Sequence, residues 1–110
     1  MKKPPPVRDE EFRAKVTHLR TLCPPPAGTK VEVSRKPRYE LNEEGYCVKK
    51  GRTFSIVVNQ NLNDYELEHV LIHEWAHMMA WRPYHPLVGD HGPDWGVWYA
   101  VVYRKYHGVE

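Results

Sequence analysis

The sequence has few cysteines and no long apolar run. Cys23 and Cys47 are the only cysteines among 110 residues, and no C-x-x-C pair occurs. These counts exclude a four-cysteine zinc ribbon and a dense disulfide framework, and we expect both thiols to be reduced in a cytosolic compartment. No apolar stretch approaches the roughly 18 residues of a membrane-spanning helix, so we expect no membrane association.

The sequence also lacks a strong charge of one sign. Its formal net charge is +2, with 41% hydrophobic and 27% charged residues, as in an ordinary soluble domain. Nucleic-acid binding is permitted by this balance but is not indicated by it. The N-terminal lysines precede Pro4-Pro5-Pro6 rather than an apolar segment, which predicts a cytoplasmic protein. We expect a flexible proline-rich arm over residues 1–7 and one domain over residues 8–110.

An amphipathic helix is predicted from about Arg8 to Leu22. Apolar residues recur there at spacings of four and three, and three acidic residues lie at its positive N-terminal end. The prolines that follow Cys23 end the helix. The apolar positions are Phe12, Val16, Leu19 and Leu22.

Residues 29–60 alternate apolar and polar side chains, which is typical of strands. We predict strands over 29–36, 45–50 and 53–59, with a link over 37–44 that extends a strand or leaves it. Gly51 supplies the positive φ of a hairpin between the last two strands. One of these two strands is expected to expose an edge on which an extended peptide can pair.

A second helix is predicted from Asp64 to Trp81. Asn63 and Glu66 resemble a capping box at its start, and Pro83 disfavours helical angles in the residue before it. A loop over residues 82–92 follows.

A third helix is predicted from Pro93 to Gly108. Proline suits the first helical position, and glycine suits the position after the last turn. The broad apolar face of this helix is interpreted as core rather than as a base-stacking platform. It comprises Trp95, Trp98, Tyr99, Val102, Tyr103 and Tyr106.

The second helix contains the motif His73-Glu74-Trp75-Ala76-His77. Histidines four residues apart lie on one helix face and can bind one zinc ion, whereas the glutamate is rotated to the side, where it can act as a base. Solvated histidines in a polar helix are the alternative. The surrounding residues are apolar nearly all round, which indicates a buried helix and favours the metal site.

A catalytic zinc site needs a third protein ligand and an open position for water. A third ligand at the H-E-x-x-H-x-x-G-x-x-H spacing is excluded because Ala80 and Pro83 occupy its glycine and histidine positions. His91 is favoured, since adjacent glycines and a proline can form a sharp turn there. The alternatives that stay open are His85, Asp90 and Asp94.

With His91-Gly92-Pro93-Asp94-Trp95, the pattern resembles the SprT-like zinc metallopeptidases, relatives of the Spartan and Wss proteases. Their motif is H-E-x-x-H, followed after a loop by H-G-x-x-[FW]. The resemblance implies an α+β, minimal zincin-like fold with an N-terminal helix, a three-stranded sheet, an active-site helix and a C-terminal helix. It also implies that His73, His77 and His91 bind one zinc ion and that Glu74 is catalytic.

The expected function is zinc-dependent cleavage of a protein or peptide substrate by a zinc-bound water, with Glu74 as general base. DNA-associated substrates are suggested by the family, of which this chain resembles a small phage or bacterial member. The alternatives are a gated or vestigial binding module of the same fold and a DNA-binding protein. Candidates to orient a ligand or stabilise an oxyanion are Asp90, Asp94, Tyr84, His85 and Tyr99.

Overall fold

The computed structural model describes residues 4–81 and 91–109, which form helices and one mixed sheet. The predicted α+β fold and its order of elements are confirmed. The elements are α1 (Asp9–Leu22), β1 (Lys30–Lys36), a 3-10 helix (Arg38–Glu40), β2 (Gly45–Lys50), β3 (Thr53–Asn59), α2 (Asp64–Met79) and α3 (Pro93–His107).

Helix α1 packs its predicted apolar stripe into the core. Phe12, Val16 and Leu19 are buried, while the acidic first turn is exposed. The chain then passes to Cys23, whose main-chain oxygen accepts a hydrogen bond of 2.8 Å from the indole of the fully buried Trp75. This bond joins the end of α1 to the middle of α2. Both cysteines are free thiols.

The ordered core begins before α1. Val7, assigned from the sequence to the flexible arm, is buried and its N–H donates to the carbonyl of Leu62 at 3.1 Å. Arg35 donates to the carbonyl of Val7 at 2.7 Å. The mobility of the arm stays a prediction, and its residues 1–3 lie outside the described residues.

The sheet has the strand order β1-β3-β2, with β3 parallel to β1 and antiparallel to β2. The central position of β3 explains why it is the most buried strand. Of the two strands between which the edge prediction was open, β3 is central, whereas β2 lies at the edge of the sheet that the described residues form. The link over 37–44 forms a 3-10 turn rather than a strand extension.

Two glycines shape β2. Gly51 has a φ of 59° in the hairpin, as predicted. Gly45 lies against α2, and a Cβ there would be 2.8 Å from Cγ1 of Val70 and 3.0 Å from the carbonyl oxygen of Val57. The missing side chain thus allows α2 to approach the sheet closely.

Helix α2 begins with the predicted capping box, in which Asn63 and Glu66 each accept a hydrogen bond from the main chain of the other. It ends at Met79, two residues before the predicted end. Trp81 has left the helix, and its ring meets Phe54 edge-on with centroids 5.7 Å apart. Trp81 therefore packs against the sheet instead of extending the helix.

Helix α3 begins at Pro93 and ends in a left-handed Gly108, as predicted. The interpretation of its aromatic face as core is only partly correct. Val102 is the one member of that face that is buried, whereas Tyr103 is 39% exposed. Part of the aromatic face of α3 is therefore exposed to solvent rather than packed in the core.

Candidate metal centre

Helix α2 presents two different faces. Leu67, Leu71 and Trp75 form a buried stripe at spacings of four. His73 follows Leu71 by two residues and His77 follows Trp75 by two. Both histidines are therefore rotated by about 200° from that stripe. Both are half-buried at the surface of the helix. Burial of the apolar stripe therefore directs the two imidazoles away from the core.

The third histidine comes from the start of α3. His91 is exposed and lies just before Pro93. Its Nε2 is 3.1 Å from Nε2 of His73, and Nε2 of His77 is 3.2 Å from the same atom. The ligand atoms of all three histidines lie within 4.8 Å of one another.

These distances fit a shared metal ion. Nitrogens at zinc–nitrogen distances of about 2.0–2.1 Å in a tetrahedron are separated by about 3.3–3.4 Å. The nitrogen of His73 has two nitrogen neighbours, but a neutral imidazole nitrogen offers either one proton or one lone pair. A group of three ring nitrogens within 4.8 Å of one another suits a shared cation better than a set of hydrogen bonds among the rings.

The protonation of His73 also suits a ligand. Its burial lowers the pKa, and the charge of His91 lowers it further, while Glu43 opposes this shift. Metal ions bind the neutral imidazole. The lowered pKa therefore favours the binding form near neutral pH. Glu43 belongs to the link before β2, and no sequence signal distinguishes it from the other acidic residues there.

Glu74 follows His73 in α2 and is almost fully buried, at 6% exposure. It lies close enough to Cys47 of β2 for its charge to influence the thiol. Burial is the larger cause, and together with Glu74 it raises the pKa of Cys47 to about 12. Cys47 is thus a neutral neighbour of the carboxylate. The sequence assigned it no role, because only the sheet pairing brings β2 to α2.

Trp95 contacts the whole cluster, which the motif spacing did not reveal. Its indole N–H donates to the main-chain carbonyl of His73 at 3.3 Å. The ring centroid lies 5.1 Å from that of His73, 5.6 Å from His77 and 4.7 Å from His91. The indole therefore packs against all three imidazoles.

The remaining predicted site residues divide into two groups. Asp94 is exposed in the first turn of α3, and the ring of Tyr99 lies 5.0 Å from that of Trp95. The other three fall outside the residues that the structure describes: Tyr84, His85 and Asp90.

The fold and this cluster define a small α+β domain of zincin type with a candidate metal centre on α2 and at the start of α3. The SprT-like family model matches residues 10–110, nearly the whole chain. The chain belongs to the SprT-like family, which suggests a zincin-type metalloprotease fold. It has no significant match among curated proteins or among solved structures.

None of the helices in the described part of the chain is long and apolar enough to cross a membrane. The cytoplasmic location and the phage or bacterial origin stay predictions.

Proposed function

We propose that this chain is a zinc-dependent endopeptidase in which His73, His77 and His91 hold the metal and Glu74 is the general base. The proposal rests on one observation above all. The Nε2 atoms of His91 and His77 lie 3.1 and 3.2 Å from that of His73, and Glu74, the next residue along the helix, is buried. Membership of the SprT-like family supports the same reaction class.

When bound, zinc would lower the pKa of a coordinated water to about 7 and polarise the scissile carbonyl. A carboxylate oxygen of Glu74 takes the proton of the attacking water and later donates it to the departing amine. The low exposure of Glu74 keeps competing water away from this proton. A purely structural metal site has no use for a base at this position.

Two neighbouring side chains support the proposed catalytic groups, one by position and one by its lack of charge. Trp95 joins α3 to the main chain of His73, so that the third ligand keeps its distance from the first two. Cys47 is neutral, because burial and the charge of Glu74 raise the pKa of its thiol. A second anion next to the carboxylate is thereby avoided.

The substrate is proposed to be an extended polypeptide that pairs with the edge of β2. This strand contacts β3 on one side and packs against α2. Main-chain hydrogen bonds at such an edge give affinity with little sequence preference. DNA-associated proteins are a proposed subset of substrates on the family resemblance alone.

The test compares zinc content and casein cleavage in the wild type, Glu74→Gln and His91→Ala. We expect about one zinc per chain in the wild type and in Glu74→Gln, and much less in His91→Ala. Loss of a general base lowers the rate by about 10²–10⁴-fold. Cleavage should fall by this factor in Glu74→Gln.

His18→Gln is the matched control, since His18 contacts Tyr106 rather than the cluster. Its zinc content and activity should equal those of the wild type. Full zinc binding in His91→Ala would refute the ligand assignment. Undiminished cleavage by Glu74→Gln would refute the mechanism.

A further inference from the structure

Aromatic side chains recur at every fourth residue from His91, just before α3, to the last residue of that helix. Successive residues at this spacing are neighbours on a helix surface. Centroids of successive rings are 4.7, 5.0, 6.2 and 4.4 Å apart. We call this row the α3 ladder, and it consists of His91, Trp95, Tyr99, Tyr103 and His107.

A second row with the same spacing lies on α2. Tyr65 and His69 precede the two histidines of the motif, and their rings are 4.4 Å apart. Helices α2 and α3 lie side by side, because Trp95 contacts His73 at one end of the pair and Tyr106 donates to Glu68 toward the other. In keeping with this arrangement, the pKa of Tyr99 is raised by burial and also by the charges of Tyr103 and Tyr65. The two helices together form an aromatic surface that begins at the candidate metal centre.

This surface is more apolar than the fold requires. Tyr65 is 71% exposed and Tyr103 is 39% exposed, although each could have been a charged residue without loss to the core. Single exposed aromatic residues are common, but a continuous row beside a candidate site indicates a binding surface. The continuity is direct, since Trp95 contacts both the histidine cluster and Tyr99.

The chemistry of the ladder favours a polypeptide over a nucleic acid. Helix α2 contains no lysine or arginine and has four acidic residues, and the two strong cations of α3, Arg104 and Lys105, lie in its last turn, away from the histidine cluster. Single-stranded nucleic acid needs a row of cations along its backbone as well as rings for its bases. Apolar and aromatic side chains of an unfolded segment need only the rings, which attract them by burial and by edge-to-face packing.

We infer that the α3 ladder is a specificity surface of the proposed peptidase, where Trp95, Tyr99 and Tyr103 bind apolar or aromatic side chains beside the scissile bond. This inference rests on the proposed function. Trp95 and Tyr103 are separated by eight helical steps, about 12 Å, which equals the length of three or four residues of extended chain. The preferred substrates are therefore unfolded segments with several apolar side chains on one side of the cleavage point.

The test measures binding without cleavage, in the zinc-loaded Glu74→Gln protein. The probes are a fluorescently labelled peptide that contains phenylalanines and a matched peptide with alanine in their places. Tyr103→Ala, made in the same background, should weaken binding of the phenylalanine peptide by about 5- to 20-fold. Tyr103→Phe, which keeps the ring, should bind like the parent protein.

Tyr39→Ala is the matched control, because Tyr39 is 86% exposed on the 3-10 helix and is not part of either row. It should leave binding unchanged. Equal zinc content and circular dichroism establish that the variants are folded. Equal affinity for the two peptides, or equal losses in Tyr103→Ala and Tyr39→Ala, would overturn the inference.

A labelled oligothymidylate provides the competing outcome. If Tyr103→Ala weakens its binding but not that of the phenylalanine peptide, the ladder is a nucleic-acid surface and the inference is wrong. Failures of the two proposals are distinguishable. A protein that selects the phenylalanine peptide but cleaves nothing refutes the proposed function alone, whereas unselective cleavage refutes the specificity surface alone.

Discussion

The indole N–H of Trp95 donates a hydrogen bond to the main-chain carbonyl of His73, with 3.3 Å between nitrogen and oxygen. The donor belongs to α3 and the acceptor to α2, so this bond joins the helices that carry the three histidines. The contact lies at the metal cluster itself rather than at a distant part of the helix pair. One side chain thus sets how closely His91 approaches the other two imidazoles.

We predict that Trp95→Phe weakens zinc binding by about 2- to 10-fold, the equivalent of one hydrogen bond worth about 0.5–1.5 kcal/mol. Phenylalanine keeps an aromatic ring against the histidines but has no N–H. Competition with a chromophoric chelator measures the affinity. Trp98→Phe is the control, since Trp98 lies on the same helix outside the cluster contacts. Equal losses of zinc affinity in both variants would show that this hydrogen bond does not contribute to metal binding.

The close approach of β2 to α2 leads to a prediction about the stability of the fold. Gly45→Ala would place a Cβ 2.8 Å from Cγ1 of Val70 and 3.0 Å from the carbonyl oxygen of Val57. Overpacking of this kind costs about 1–3 kcal/mol, which lowers the melting temperature by about 5–15 °C in a domain of this size. Thermal unfolding followed by circular dichroism measures the change.

Gly96→Ala is the opposite case and serves as control. Gly96 lies inside α3 with open space around the position of a Cβ. Alanine there should raise the free energy of unfolding by about 0.5–1 kcal/mol, because it restricts the unfolded chain and favours helix. A Gly45→Ala variant as stable as the wild type would contradict the tight packing at β2.

Most of the local structure could be predicted because its causes are local in the sequence. The spacing of Phe12, Val16 and Leu19, the capping box at Asn63 and the glycine of the hairpin each depend on residues a few positions apart. The histidines of α2 could be assigned to a metal site for the same reason. Element boundaries followed within one or two residues.

What could not be predicted depends on contacts between distant segments. The central place of β3 in the sheet, the neighbours Glu43 and Cys47 of the site, and the contacts of Trp95 all arise from tertiary packing. Periodicity predicts a core position for the whole aromatic face of α3, because it reports which residues share a face but not whether that face is covered. Val102 is buried and Tyr103 exposed on the same helix.

A polar cluster joins the three helices and gives a prediction about pH. Lys15 of α1 lies 2.6 Å from Asp64 and 2.9 Å from Glu68 of α2, and Tyr106 of α3 donates to Glu68 at 3.1 Å. Burial by itself lowers the pKa of Lys15, but the hydrogen bonds to the two carboxylates outweigh it, and the pKa is raised. Burial also raises the pKa of Tyr106.

Both shifts act on stability in the same direction. A lysine whose pKa is higher in the folded state stabilises it fully below its unfolded pKa of about 10.4, and this contribution is lost as the pH rises further. A tyrosine whose pKa is higher in the folded state likewise lowers the free energy of unfolding once the pH exceeds its unfolded pKa of about 10. The free energy of unfolding should therefore begin to fall near pH 10 and continue to fall as the pH rises further.

Urea unfolding across this range tests the cluster. Lys15→Met should lower the stability by about 1–2 kcal/mol at neutral pH, because charged hydrogen bonds are lost, and should flatten the decline above pH 10. Lys50→Met removes an exposed lysine of β2 and should keep the wild-type profile. A decline as steep in Lys15→Met as in the wild type would assign the pH dependence to other groups.

Removal of the metal should destabilise the whole domain, since the histidines belong to two helices that are separated in sequence. A ligand that binds only the folded state at 100 times its dissociation constant adds about 2.7 kcal/mol, or about 10–15 °C in melting temperature here. A chelator should therefore lower the melting temperature of the wild type by this amount, and added zinc should restore it.

Two variants provide the controls. His77→Ala should melt at the same temperature with and without chelator, while Glu74→Gln should respond like the wild type, because the proposed base is not a ligand. A wild-type protein indifferent to both chelator and zinc would refute a metal at the His73–His77–His91 cluster, whatever its activity.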